Sequence, residues 1–204
     1  MNRPGKIIGV GRNFREHARE LGSEVPEYPL LFLKPPSSVI GIGAPIMLPR
    51  QSRQVDFEGE IGVVIGRTVR RVSEAQARAA IAGIVAVNDV TARDLQRVDN
   101  QWTRAKGFDT FCPVGSEVVT VSDLESLSVV TRVNGVERQR AGATEMVWSI
   151  TELVSLISQI MTLDPGDLIS TGTPAGVGPL APGDMVEVEI PGVSCVSNPV
   201  IEDS

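Results

Sequence analysis

The sequence predicts a β-rich mixed α+β fold with few peripheral helices, and three observations lead there. Short runs rich in Val and Ile recur along the chain, each bounded by Gly, Pro or Asn. Only a few windows carry helix-start signals. Aromatic residues make up 4% of the 204 residues against 42% apolar residues in all, so the core must be aliphatic, as packed sheets of β-branched residues are.

In chain order, strands are expected at 6–10, 30–34, 55–65, 84–89, 114–121, 128–133, 136–140, 167–171, 185–190 and 193–200. Asn134-Gly135 between two of them signals a two-residue hairpin, because a type I′ turn needs positive φ at both central positions. The first helix is expected after Asn13 as N-cap, with Glu16 at the capping-box position and Gly22 as terminator. Ser73 with Gln76 announces a second before Ala75–Ile81, and Ser149 with Glu152 a third before Leu153–Met161. The run Thr171-Gly172-Thr173-Pro174-Ala175-Gly176-Val177-Gly178-Pro179 reads as a rigid loop after a strand, with backbone groups available to a ligand. With no repeat, low-complexity tract or long linker, one domain over 1–204 is expected.

The net charge of −6 and the lack of a Lys/Arg cluster beyond Arg67, Arg70 and Arg71 disfavour nucleic acid and anionic membranes as partners. Cys112 and Cys195 stand far apart in no metal or redox spacing. No apolar stretch is long enough to span a bilayer, so a cytoplasmic protein is expected.

Chemistry concentrates in a few acidic residues. Alternation puts Glu58 and Glu60 on one face of a strand, with Phe57, Ile61, Val63 and Ile65 on the other, and Asp89 closes another apolar strand. Ionised carboxylates in such runs need a counter-charge, since two unit charges ~4 Å apart interact by roughly 4 kcal/mol at an effective dielectric near 20. Oxygen-only ligands select Mg²⁺, with Mn²⁺ or Ca²⁺ as substitutes, over Zn²⁺ or Cu²⁺. The alternative is a pair of glutamates on a solvated sheet face. His17 is the sole histidine, and Glu20 three residues on shares its helix face, a spacing that orients an imidazole as a general base. A charged surface helix with an incidental histidine is the other reading.

Two further segments, Asn88-Asp89-Val90-Thr91-Ala92-Arg93-Asp94-Leu95-Gln96 and Trp102-Thr103-Arg104-Ala105-Lys106-Gly107-Phe108-Asp109-Thr110-Phe111-Cys112-Pro113, complete a pattern with the Glu58/Glu60 strand and the Thr171–Pro179 loop. Together they resemble the fumarylacetoacetate hydrolase family in its short, single-domain form, from about Ile7 to the C-terminus. The resemblance implies a mixed β-roll or sandwich with Glu58, Glu60 and Asp89 as metal ligands. His17 and Glu20 match an acid/base pair on a lid at about 12–27. Lys106 matches the lysine that neutralises a substrate carboxylate or enolate, Arg93 and Gln96 match pocket supports, Thr173 a loop residue near substrate, and Arg12 a residue just before the lid. Outside this context Lys106 reads as a loop lysine and Arg93 as a surface ion-pair partner.

The resemblance implies Mg²⁺-dependent hydrolysis of the C–C bond of acylpyruvate-type 2,4-dioxo acids through a metal-bound enolate. Oxaloacetate decarboxylation and isomerisation or hydration of 2-hydroxyhepta-2,4-diene-1,7-dioate are the alternatives on the same site, and a non-catalytic protein binding metal or small carboxylates is the alternative of another class. No N-terminal domain is expected before Lys6, and on that expectation a small 2-oxo mono- or dicarboxylic acid is favoured over bulky substrates. A homodimer is expected, because the family usually pairs and sheet edges need cover.

Overall fold

The structure is a computed structural model that describes residues 3–20, 22 and 24–203. Its strands and helices in chain order are β1 (Ile7–Gly11), α1 (Arg15–Glu20), β2 (Leu30–Lys34), β3 (Val39–Ile40), β4 (Ile46–Leu48), β5 (Val55–Phe57), β6 (Gly59–Ile65) and α2 (Glu74–Ala77). These are followed by β7 (Ile81–Asn88), β8 (Thr91–Ala92), α3 (Arg93–Val98), α4 (Thr103–Gly107), β9 (Cys112–Pro113), β10 (Ser128–Val133) and β11 (Val136–Gly142). The chain closes with α5 (Ile150–Ile160), β12 (Leu168–Ser170), β13 (Gly178–Pro179), β14 (Met185–Ile190) and β15 (Ser194–Glu202). The fold is thus sheet-rich and mixed, as the sequence predicts.

Among the described residues one five-stranded sheet runs β2-β1-β12-β6-β7 and a second β11-β10-β14-β15-β4. A three-stranded sheet, β13-β5-β8, and the pair β3-β9 flank them. The faces of the two large sheets share one aliphatic core, in which Ile8, Ile61, Val63 and Ile84 of the first meet Val129, Val188 and Val196 of the second. Helix α5 covers this core with Ile150, Leu153, Val154 and Ile157, the spacing of one helical face. Its N-terminus carries the expected capping box, with Ser149 Oγ accepting from Glu152 N and Glu152 Oε2 from Ser149 N at 2.7 Å. The Asn134-Gly135 hairpin also forms, with φ of 53° and 78° joining β10 to β11.

Four local expectations are corrected. The strand expected over 55–65 breaks at Glu58: β5 belongs to the small sheet and β6 to the large one, so Phe57 packs in a different cluster from Ile61, Val63 and Ile65. Residues 114–121 make only isolated bridges, Val87 to Val114 and Ile84 to Val119. The second helix stops at Ala77, passes through a 3₁₀ turn over Arg78–Ala80, and Ile81 already starts β7. Asn13 caps no helix. It is fully buried and ties three segments together, donating to Thr171 O at 2.7 Å and Trp148 O at 3.1 Å while accepting from Trp148 N at 2.9 Å. Long-range backbone partners outbid the local cap, a choice sequence spacing does not reveal.

Candidate active site

The break at Glu58 builds the site. Glu58 N donates to Asn88 Oδ1 at 2.9 Å, and Asp89 N donates to Glu58 O at 2.8 Å, so the chain leaving β7 is stitched beside the chain entering β6. Glu60, two residues on, faces the same way, and ligand oxygens of Glu58, Glu60 and Asp89 all lie within 4.8 Å of one another. All three side chains are buried.

Burying three carboxylates together is costly, and the surroundings answer with cations. Lys106 Nζ, at the end of α4, donates to Glu58 Oε2 at 2.7 Å and to Asp89 Oδ2 at 2.6 Å. Lys34 Nζ, from β2, donates to Asp89 Oδ1 at 2.6 Å. Arg93, at the start of α3, binds Glu58 through Nη2 and Asp56 through Nε at 2.8 Å. Burial pushes the Glu58 carboxyl upward, but Lys106, Arg93 and His17 outweigh it and hold the group well below its usual range. Burial lowers the Lys106 ammonium pKa, but Asp89 and Glu58 outweigh it and the net shift is upward.

Glu60 fares differently. Ser170 Oγ at 2.6 Å and Gly172 N at 2.8 Å donate to its Oε2, and no Lys or Arg forms an ion pair with it among the described residues. Burial, Asp89 and Glu58 push its pKa up to about 8. The lysines and arginine therefore relieve Glu58 and Asp89 and leave Glu60 without a paired cation among the described residues. A hard divalent cation fits this donor set, since oxygen-only ligands at such spacing suit Mg²⁺, Mn²⁺ or Ca²⁺.

The loop after β12 is pinned against β6. Thr171 Oγ1 donates to Ile61 O at 2.8 Å and Thr173 Oγ1 to Gly59 O at 2.9 Å. Gly172 sits at φ 103°, where an added Cβ would also lie 2.7 Å from that of Asn13, so the turn requires glycine. Helix α1 docks on this loop. His17 Nδ1 lies 3.0 Å from Glu20 Oε2, and Gly176 N donates to Glu20 Oε1 at 3.0 Å. His17 is buried, which removes the reading of an incidental surface histidine.

A cavity of about 290 Å³ joins these groups, lined by Glu58, Glu60, Asp89, Lys106, His17, Arg12, Arg93, Gln96 and Thr173. Every residue singled out from sequence is on its wall except Glu20, which stands behind His17. Gln96 is committed to Arg93, accepting from Nη1 at 2.6 Å. Leu21 and Ser23 of the expected lid lie outside the described residues.

Sequence reasoning missed Lys34, Asp56, Phe32 and Arg97. Lys34 ends an apolar strand, the same signal that marked Asp89. Phe32 packs edge-on against Trp102 at 5.4 Å between centroids and lies under the Lys106 ammonium at 4.8 Å. Gly9 makes room for this ring, since a Cβ there would stand 2.2 Å from it.

A cavity that unites an oxygen cluster able to hold a cation, fixed ammonium and guanidinium groups and an oriented imidazole defines an enzyme site. The comparisons identify its lineage. The Fumarylacetoacetate (FAA) hydrolase C-terminal family matches residues 6–201, and the chain belongs to that family. The structure called 5-carboxymethyl-2-hydroxymuconate delta-isomerase from Mycobacterium smegmatis is 46% identical with a TM-score of 0.92, covering 99% of this chain and 80% of its own. The one called 2-hydroxyhepta-2,4-diene-1,7-dioate isomerase from Mycobacterium marinum is also 46% identical, with a TM-score of 0.91 over 99% and 76%. Oxaloacetate tautomerase YisK of Bacillus subtilis is 42% identical over 97% of this chain and 70% of its own length.

Proposed function

We propose that this chain interconverts the keto and enol forms of a small 2-oxo acid, with Glu58, Glu60 and Asp89 as ligands of a divalent cation, Mg²⁺ first. The observation that carries the reading is the meeting of the carboxylate trio, Lys106 and the His17–Glu20 pair on one small cavity. When bound, the ion would supply Lewis-acid polarisation of the substrate carbonyl.

The remaining work falls to the chain. Glu20 holds Nδ1 of His17, which leaves Nε2 as the basic nitrogen to take a proton from the carbon beside the carbonyl and return it. Lys106, fixed between Glu58 and Asp89, supplies positive charge where negative charge develops on oxygen. Arg12, Gln96 and Thr173 contribute polar wall to hold the acid, with Arg93 keeping Glu58 ionised. Phe32 and Trp102 shed water from the reacting carbon. The relatives named as a tautomerase and as isomerases support proton transfer over bond cleavage.

A second reading, C–C hydrolysis of an acylpyruvate, is favoured by the His17–Glu20 pair, which is equally the arrangement that deprotonates a water. One experiment separates these. Oxaloacetate and acetylpyruvate are incubated with and without magnesium, while enol absorbance and products are followed. Faster keto–enol equilibration without carbon loss supports the proposal, and its loss in His17→Ala assigns the base. Pyruvate with acetate marks the hydrolase, pyruvate with CO₂ a decarboxylase, and no change in either compound sinks the proposal.

A further inference from the structure

Arg97 lines the cavity one helical turn beyond Arg93 on α3. Residues four apart share a helix face and are offset by about 6 Å along its axis. Arg93 is buried beside the carboxylate trio, whereas Arg97 is exposed toward solvent.

The two guanidinium groups differ in what holds them. Arg93 is neutralised by Asp56 and Glu58. Arg97 is oriented without being neutralised: its Nη1 donates to the uncharged Gln54 Oε1 at 3.3 Å, and no carboxylate forms an ion pair with it among the described residues. Gln54 is itself fixed by Nε2 contacts to Asp56 Oδ1 at 3.2 Å and Oδ2 at 3.3 Å. A run of hydrogen bonds thus leads from Glu58 through Arg93, Asp56 and Gln54 to Arg97.

Charge across the walls points the same way. Glu58, Glu60 and Asp89 share the cavity wall with Lys106, Arg93, Arg12 and Arg97, so lysines and arginines already outnumber carboxylates by one before a divalent ion is added. A monoanionic guest leaves most of that excess in place. A dianion offsets more of it, and its second charge has a carboxylate-shaped donor fork available only where the guanidinium is not already paired.

We propose that Arg97 is the specificity residue of this cavity, engaging the distal carboxylate of a 2-oxo diacid whose oxo-acid head lies at the Glu58, Glu60 and Asp89 trio. The proposal rests on the oxo-acid reading of the site given above. A guest of equal length without the second carboxylate leaves this guanidinium to water.

Calorimetric titration in the presence of magnesium tests it with 2-oxoglutarate and 2-oxopentanoate, which share a five-carbon chain and differ in the distal carboxylate. Wild-type protein is expected to bind the diacid about tenfold more tightly, and Arg97→Gln to erase that preference by weakening 2-oxoglutarate alone. Arg97→Lys, which keeps the charge and loses the fork, is expected to retain part of it. Arg97 is exposed and belongs to no hydrophobic cluster, so these variants should melt as wild type does. A wild-type protein without preference, a preference that survives in Arg97→Gln, or equal weakening of both acids overturns the role of Arg97. Failure of wild type to bind either acid overturns the oxo-acid reading as well.

Discussion

Lys34 and Asp89 form an ion pair at 2.6 Å in which the lysine side chain is 0% and the aspartate 1% exposed. They come from β2, an edge strand of its sheet, and from the residue just past β7, at the opposite edge of the same sheet. Such a pair holds only if each charge answers the other, because neither can reach water. Asp89 keeps a second partner in Lys106, while among the described residues Lys34 has only Asp89 and the Val90 carbonyl at 3.3 Å.

Lys34→Met is therefore expected to cost about 3 kcal/mol of unfolding free energy, the lower end for breaking a buried pair, since Lys106 still compensates Asp89. Urea unfolding of the metal-free protein reads this directly. Magnesium should recover part of the loss by restoring positive charge beside Asp89. A midpoint unchanged from wild type would show that the pair contributes no stability.

Glu60 predicts a pH dependence with a definite sign. Its carboxyl is pushed up to about 8 by burial, Asp89 and Glu58, so between its ordinary range and pH 8 the folded state holds a proton the unfolded chain has lost. Stability from this group is present at low pH and is lost as pH rises through that window, at up to ~1.4 kcal/mol per pH unit. Metal-free protein should thus unfold at lower urea at pH 8 than at pH 6, with Glu60→Gln flattening the difference. Divalent cation binding must displace the same proton, so affinity for magnesium should rise with pH to about 8 and level off above it. A pH-independent affinity would contradict the assignment.

Glu20 makes two contacts at once, to His17 Nδ1 and to Gly176 N. In Glu20→Gln the amide oxygen can keep the Gly176 contact while its NH₂ faces Nδ1, which forces the proton onto Nε2 and removes the base. Turnover is expected to fall roughly 10²-fold or more with little change in KM. The fall should be accompanied by a near-native melting temperature. A large loss of stability instead would make Glu20 a structural latch for α1.

Much of this was legible from local sequence because it depends on local periodicity. Most Val and Ile runs, the Asn134-Gly135 turn and the Ser149 capping box draw their signal from residues a few positions apart, and these formed as expected. The site residues were visible because carboxylates inside apolar runs are costly enough to need a reason. Asn13 and the 55–65 strand were misread for the complementary reason. Asn13 bonds partners at Trp148 and Thr171, and the strand breaks because Glu58 is held by Asn88 across the chain.

The sequence by itself determined the sheet-rich class, the aliphatic core and the acidic residues that gather in one buried cluster, since strand alternation and the cost of buried charge act over short distances. Only the tertiary structure decided that Lys34, Asp56 and Phe32 stand around the trio, and that among the described residues neither Glu60 nor Arg97 forms an ion pair. Those facts depend on which distant strands become neighbours, and electrostatic energy is set by separations in space, which residue order does not encode.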